Sequence, residues 1–132
     1  DRILTDAEYS EFQKLLSRRA TGEPIAYIVG VKEFWDMEFM VTPDVLIPRP
    51  ETEHLIDAAL HWAKNRRNIL AADIGTGSGA IAITIAKHAN ATVHAVDISA
   101  KALTIARKNA VKNDAVVLVL FCVADGGFLR RL

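Results

Sequence analysis

The run Asp73-Ile74-Gly75-Thr76-Gly77-Ser78-Gly79 holds the residue types best suited to chemistry in this sequence. Glycines at alternate positions let a backbone turn sharply and come close to a ligand. A helix starting at Ala80 would offer that ligand unpaired N–H groups and a partial positive charge. Asp97 follows at about the 20-residue spacing where an acid, ending the next strand, accepts hydrogen bonds from both hydroxyls of a ribose. Loop and acid together read as a nucleoside-cofactor site.

Two cofactors fit. Gly75, Gly77 and Ala80 satisfy the looser G-x-G-x-x-A dinucleotide pattern, which keeps an NAD-dependent oxidoreductase open as the alternative. S-adenosylmethionine has no pyrophosphate, so the loop would lie beside its methionine carboxylate. Asp73, two residues before the first glycine, favours S-adenosylmethionine. An acid there meets the methionine ammonium but sits badly beside a pyrophosphate. Asp73 as a mere cap of the glycine turn stays open beside that role.

The elements that must position these residues are legible around them. Ile69 to Ile74 is a short apolar strand, Ala80 to His88 a helix, and Thr92 to Val96 a strand ending at Asp97. Ala100 to Lys112 is a helix with Leu103, Ala106 and Ala110 inward, and Val116 to Val123 reads as an unbroken apolar strand. Strands alternating with helices predict an α/β fold with a parallel sheet covered on both faces. Upstream, Thr5 to Ala20 predicts a helix with a Thr5–Glu8 capping box and a Phe12, Leu15, Leu16 stripe. Ile25 to Thr42 reads as β-rich, with a hairpin of Val31–Trp35 against Met37–Val41 turning near Asp36. Glu51 and Glu53 open a further helix that buries Leu55, Ile56, Ala59, Leu60 and Ala63.

Composition narrows the classes. With 132 residues, 51% apolar and 24% charged, the chain is about one globular domain and not a disordered tail. Sixteen basic and 16 acidic residues cancel, so no direct nucleic-acid partner is expected. The apolar run Ala115 to Ala124 is half of the roughly 20 residues a membrane helix needs, so no membrane partner is expected. A single cysteine, Cys122, excludes a disulfide framework and reads as a core residue, and the four histidines share no metal-ligand spacing. A cytoplasmic setting without a metal is the expectation. The first residue is Asp1, which predicts a piece of a longer chain.

Five motifs occur in order: Gly22-Glu23-Pro24-Ile25-Ala26-Tyr27-Ile28, Glu33-Phe34-Trp35, Leu46-Ile47-Pro48-Arg49-Pro50-Glu51-Thr52-Glu53, Asp73 to Ile81, and Ala95-Val96-Asp97-Ile98-Ser99. Over nearly its whole length the chain resembles the HemK/PrmC family of protein-glutamine methyltransferases. The Pro-Arg-Pro-Glu-Thr-Glu run is the specific part. The resemblance implies methyl transfer from S-adenosylmethionine to the side-chain amide nitrogen of a glutamine in peptide-chain release factors. It implies a partial Rossmann-like methyltransferase core preceded by a helix and β-hairpin. The parts would be residues 1–47, helix and hairpin linker, and 48–132, the N-terminal half of the methyltransferase domain.

Carried over by position, Gly75, Thr76, Gly77, Ser78 and Gly79 would line the methionine part of the cofactor. Asp97 would hold the ribose, Ile98 would lie against the adenine, and Asp125 would approach the adenine amino group. Gly126 stands in the pocket where many relatives have tryptophan. Arg49 is either a bridge to Glu51 or Glu53 or a substrate-proximal group at the site mouth. The family's acceptor signature, Asn-Pro-Pro-Tyr, does not occur among the prolines Pro24, Pro43, Pro48 and Pro50. No catalytic residue is therefore assigned. The expectation is a methyltransferase fragment without a complete acceptor site; a non-catalytic cofactor-binding fragment is the further alternative. Without a fourth strand, the edge of Ile69 to Ile74 would be unpaired and invite self-association. Trp35 and Trp62 read as packing anchors.

Overall fold

In the computed structural model, residues 2–123 are described; Asp125 and Gly126 lie outside them. The chain opens with α1 (Asp6–Ala20), where Thr5 and Glu8 form the expected capping box. No residue of α1 is buried. Its stripe residues Phe12 and Leu16 are about half exposed, at 51% and 47%.

Ile25–Val29, expected in a β-rich stretch, is a short helix, α2. Pro24 has a fixed backbone angle suited to a helix start, and Gly30 ends the turn in the left-handed conformation at φ 79°. These two local signals outweigh the β-branched side chains between them.

β1 (Val31–Phe34) and β2 (Met37–Met40) then form an antiparallel hairpin with Phe34 opposite Met37. Trp35 and Asp36 make the turn, both at positive φ, 51° and 58°. That is the twist a two-residue hairpin turn prefers, although Asn and Gly usually supply it. Phe34 and Phe39 meet edge to face at 6.2 Å and are fully buried. Burial of each contributes roughly 1.5–3 kcal/mol.

A 3-10 turn, Pro50–Thr52, leads into α3 (Glu53–Ala63). Ile56 is buried as expected, but Leu55 is exposed, because it falls one residue off the face that meets the core. Trp62 is not a packing anchor. It is exposed, and the Arg66 guanidinium lies 4.3 Å from its ring centre.

The α/β unit comprises β3 (Leu70–Ile74), α4 (Ala80–Ala89), β4 (Thr92–Asp97), α5 (Ala100–Lys112) and β5 (Val119–Val123). The strands are parallel in the order β3-β4-β5. Successive crossovers in one direction place α4 and α5 on the same face, where they touch each other. Ala82, Ile83, Ala86, Leu103 and Ala106 fill the layer between. The cover on both faces that the sequence predicts is therefore not found among the described residues: helices pack on one face only. Among the described residues, Leu70, Ala72, His94, Leu120 and Cys122 line the opposite face and are exposed. Cys122 is thus not a core residue: strand alternation points it away from α5, while Val119 points inward and is buried. The strand also starts later than expected, since Val116, Val117 and Leu118 form a turn closed by Leu118 and Val119 N–H groups on the Ala115 carbonyl.

Candidate functional site

The carboxyl ends of β3 and β4 lie side by side, with Ile74 paired to Val96. The glycine loop folds back across this edge. Gly75 and Thr76 donate their N–H groups to the Val96 carbonyl at 2.8 and 3.0 Å. Asp97 then reaches the loop itself. Its Oδ2 accepts from the Gly77 N–H at 2.8 Å, and its Oδ1 accepts from the Ser99 N–H at 2.9 Å. Each oxygen keeps a second acceptor direction. Sequence spacing alone had brought loop and acid to one edge; the structure brings them into contact.

Asp73 is half-buried beside them and accepts from the Thr76 hydroxyl at 2.7 Å. Burial pushes its carboxyl above the ordinary 3.8; the Thr76 hydroxyl and the Ala82 N–H oppose this, and the charge of Asp97 adds to it. Among the described residues no Lys, Arg or His pairs with Asp73. A shielded carboxylate next to a second carboxylate, with no cation between, has the chemistry to receive an ammonium group.

The back of the loop rests on α5. Gly79 sits at φ +80°, where a Cβ would lie 3.0 Å from Ile83 Cδ1 and 3.1 Å from Ala106 Cβ. The loop reaches its place against α5 only because that atom is missing. One turn further along α5, Asn109 donates to the Ser78 carbonyl at 2.9 Å. Sequence reasoning missed Asn109. The available signal was a polar residue set between the inward positions Ala106 and Ala110.

The segment Leu46-Ile47-Pro48-Arg49 forms the facing wall. Between it and Gly75–Ser78 lies a cavity of about 110 Å³ that Thr52, Ala80 and Ile81 complete. Arg49 is exposed at this rim and, among the described residues, pairs with neither Glu51 nor Glu53. The volume is below the roughly 300 Å³ of a small-ligand site, so it suits one end of a cofactor. Ile98, 81% exposed, follows directly after Asp97. A wider hollow of about 500 Å³ lies at the hairpin turn, among Lys32, Glu33, Trp35, Asp36 and Glu53, and includes none of the glycine-loop residues. Among the described residues, no helix is long and apolar enough to cross a membrane.

Comparison with known proteins accords with this geometry. The family described as "Ribosomal protein L11 methyltransferase (PrmA)" matches residues 50–126, and the "PrmC N-terminal domain" matches residues 1–30. The chain is 47% identical over 126 residues to the release factor glutamine methyltransferase of Nitratidesulfovibrio vulgaris, covering 95% of this chain and 42% of that protein. It is 55% identical over 98 residues to the protein of that name in Neisseria gonorrhoeae, covering 74% of this chain and 35% of the relative. The chain thus spans about two fifths of the first relative's length. Among solved structures it superposes on a SAM-dependent methyltransferase from Agrobacterium tumefaciens with a TM-score of 0.64 at 21% identity, covering 76% of this chain and 34% of that one. An RNA methyltransferase from Salinibacter ruber in complex with S-adenosyl-L-homocysteine gives 0.52 at 29% identity, covering 60% and 50%.

Fold and glycine-loop edge together define a partial Rossmann-like methyltransferase core of the S-adenosylmethionine-dependent type. The chain belongs to the methyltransferase family matched over residues 50–126, and its motifs and relatives put it with the HemK/PrmC proteins.

Proposed function

We propose that these residues bind S-adenosylmethionine and serve an enzyme that methylates the side-chain amide nitrogen of a glutamine in peptide-chain release factors. The observation that carries the cofactor reading is Asp73: a shielded carboxylate without a cation among the described residues, five residues before the glycine-loop serine Ser78 and adjacent in space to a second acid. An ammonium relieves that site. A pyrophosphate would add charge of the wrong sign, which weighs against NAD.

The residues fit the cofactor's other parts. Asp97 keeps acceptor capacity for ribose hydroxyls, and Ile98 offers exposed apolar surface to an adenine beside them. Asp125 and Gly126, which the family resemblance assigns to the adenine end, lie outside the described residues. When bound, the cofactor supplies an electrophilic sulfonium methyl. The chain's residues hold and orient it, and Arg49, which lines the cavity rim, is the residue this reading places nearest the acceptor. A neutral amide is a poor nucleophile, so holding the reacting atoms at about 3–3.5 Å is most of the catalysis. For the acceptor, 47% identity with a named release factor glutamine methyltransferase outweighs the ribosomal protein in the matched family's description.

Isothermal titration with S-adenosylhomocysteine and with NAD tests the cofactor. S-adenosylhomocysteine should bind and NAD should not. Asp97→Ala removes charge-assisted hydrogen bonds worth roughly 1.5–3 kcal/mol each, so affinity should fall tenfold or more. An unchanged dissociation constant in Asp97→Ala, or tighter binding of NAD, would overturn the reading. Because Asn-Pro-Pro-Tyr is not in the sequence, the 132 residues alone should transfer no methyl group to a release factor. Transfer by the purified chain would refute that part.

A further inference from the structure

Asn109 is fully buried on α5, and its carboxamide is bonded to two separate segments. Oδ1 accepts from the Met40 N–H at 2.7 Å, and Nδ2 donates to the Met40 carbonyl at 2.9 Å. The same Nδ2 donates to the Ser78 carbonyl at 2.9 Å. Both amide hydrogens are therefore used, and the buried oxygen is satisfied.

Those two segments lead to the two walls of the cavity. Met40 ends β2, and Val41 and Val45 beyond it pack on Ala102 and Ile105 of α5 before the chain reaches Pro48 and Arg49. Ser78 belongs to the glycine loop opposite. Both walls thus hang from one face of one helix, and a single side chain bonds to both.

We infer that Asn109 is a positioning residue that sets the spacing between the Pro48–Arg49 wall and the glycine loop. It tunes cofactor affinity without touching the cofactor. The inference rests on the cofactor reading for its binding probe, and on the hydrogen bonds alone for its mechanical part. An aspartate at this position would still accept from Met40 N–H, but would turn a carboxylate oxygen toward the Met40 and Ser78 carbonyls. An alanine would leave three backbone groups without partners.

The test compares Asn109→Asp and Asn109→Ala with Ile56→Ala, a buried α3 residue outside both walls that controls for lost stability. All are measured at a temperature where far-UV circular dichroism shows each variant folded. Two readouts are taken: titration with S-adenosylhomocysteine, and amide chemical shifts of Ile47 and Gly77, neither of which bonds to Asn109. Both Asn109 variants should lose about tenfold or more in affinity, roughly 1.4 kcal/mol, and shift both amides. Ile56→Ala should stay near wild-type affinity and move neither. Wild-type-like affinity in the Asn109 variants, or shifts confined to Met40 and Ser78, would overturn the inference. If Asn109→Ala does not fold, Asn109→Asp decides the matter. If the wild-type chain binds no S-adenosylhomocysteine, the cofactor reading fails, and the Ile47 and Gly77 shifts still decide the coupling.

Discussion

Helices α1 and α5 are of similar length, 15 and 13 residues, and are held by different means. α5 buries Ala102, Leu103, Ile105, Ala106, Asn109 and Ala110. α1 buries nothing. It relies on the Thr5–Glu8 box, on Arg2 paired with Glu8, and on a two-pronged Arg18–Glu23 pair at 2.8 and 2.6 Å. Exposed pairs of this kind contribute little, and isolated helices of this length are marginal in water. One helix is fixed by the interior; the other by its ends. The candidate site is built on the first kind, which suits a loop that must hold a ligand in one geometry.

The sharpest way to break this contrast is to remove part of the interior beneath the hairpin. Phe39→Ala should cost about 3–5 kcal/mol, read from the denaturant midpoint, and should weaken the site with it. A loss below about 1 kcal/mol would mean that the hairpin is not tied to the α/β unit as its burial implies. Next comes Gly79→Ala. The left-handed backbone costs about 1–2 kcal/mol for an L-residue, and the added Cβ presses on Ile83 and Ala106. Stability and S-adenosylhomocysteine affinity should fall together; intact affinity would show that the loop does not need its seat on α5.

Thr5→Ala should cost about 1 kcal/mol of helix α1 alone. Amide exchange should quicken at Glu8 and Tyr9 while Gly79 and Ile83 keep their protection. Equal loss at both places would erase the distinction between the two helices.

The smallest effect is the pH response, and its sign differs between the regions. The Thr5 amide and Arg2 hold Glu8 below its ordinary 4.5, and Arg18 does the same for Glu23. Their contribution is present above that ordinary value and is lost as pH falls through the lowered ones. Asp73 is raised by burial, so its contribution is present below 3.8 and is lost as pH rises through its raised value. Acidification should therefore fray α1 while easing the strain of charge at the glycine loop, as followed by residue-resolved NMR. Asp73→Asn removes the charge but keeps only one oxygen where the carboxylate serves both the Thr76 hydroxyl and the Ala82 N–H, and it should bind S-adenosylhomocysteine less well. Unchanged affinity in that variant would contradict the ammonium-binding role of Asp73.

The strand–helix alternation from Ile69 onward was legible because each element carries its own period and its own punctuation. Gly75 to Gly79 marks a turn, Asp97 ends a strand, and Ser99 caps a helix through the Ala102 N–H. The Ile25–Val29 turn was not legible, since β-branched side chains mask what Pro24 and Gly30 impose on the backbone. Burial was the least legible quantity. Leu70, Leu120 and Cys122 are as apolar as any core residue, yet whether they are covered depends on what lies across the sheet from them. The site followed the same rule. Asp73, Asp97 and the glycines announce themselves by spacing, whereas Asn109 acts through contacts with residues 31 and 69 positions away.

That separation of 69 positions between Met40 and Asn109 also sets an order of events in folding. The sheet can assemble by short steps, since β3, β4 and β5 each neighbour the next along the chain. The hairpin cannot dock until α5 exists, and non-local contacts form late because loop closure must precede them. At a synthesis rate of about 5–20 residues per second, the hairpin waits roughly 3–14 s on the ribosome before its anchor is made. Through that interval the Met40 N–H and carbonyl lack the Asn109 amide that pairs with them. The mouth of the cavity is thus the last part of this unit to close, and the hairpin is where a nascent chain would most need shielding.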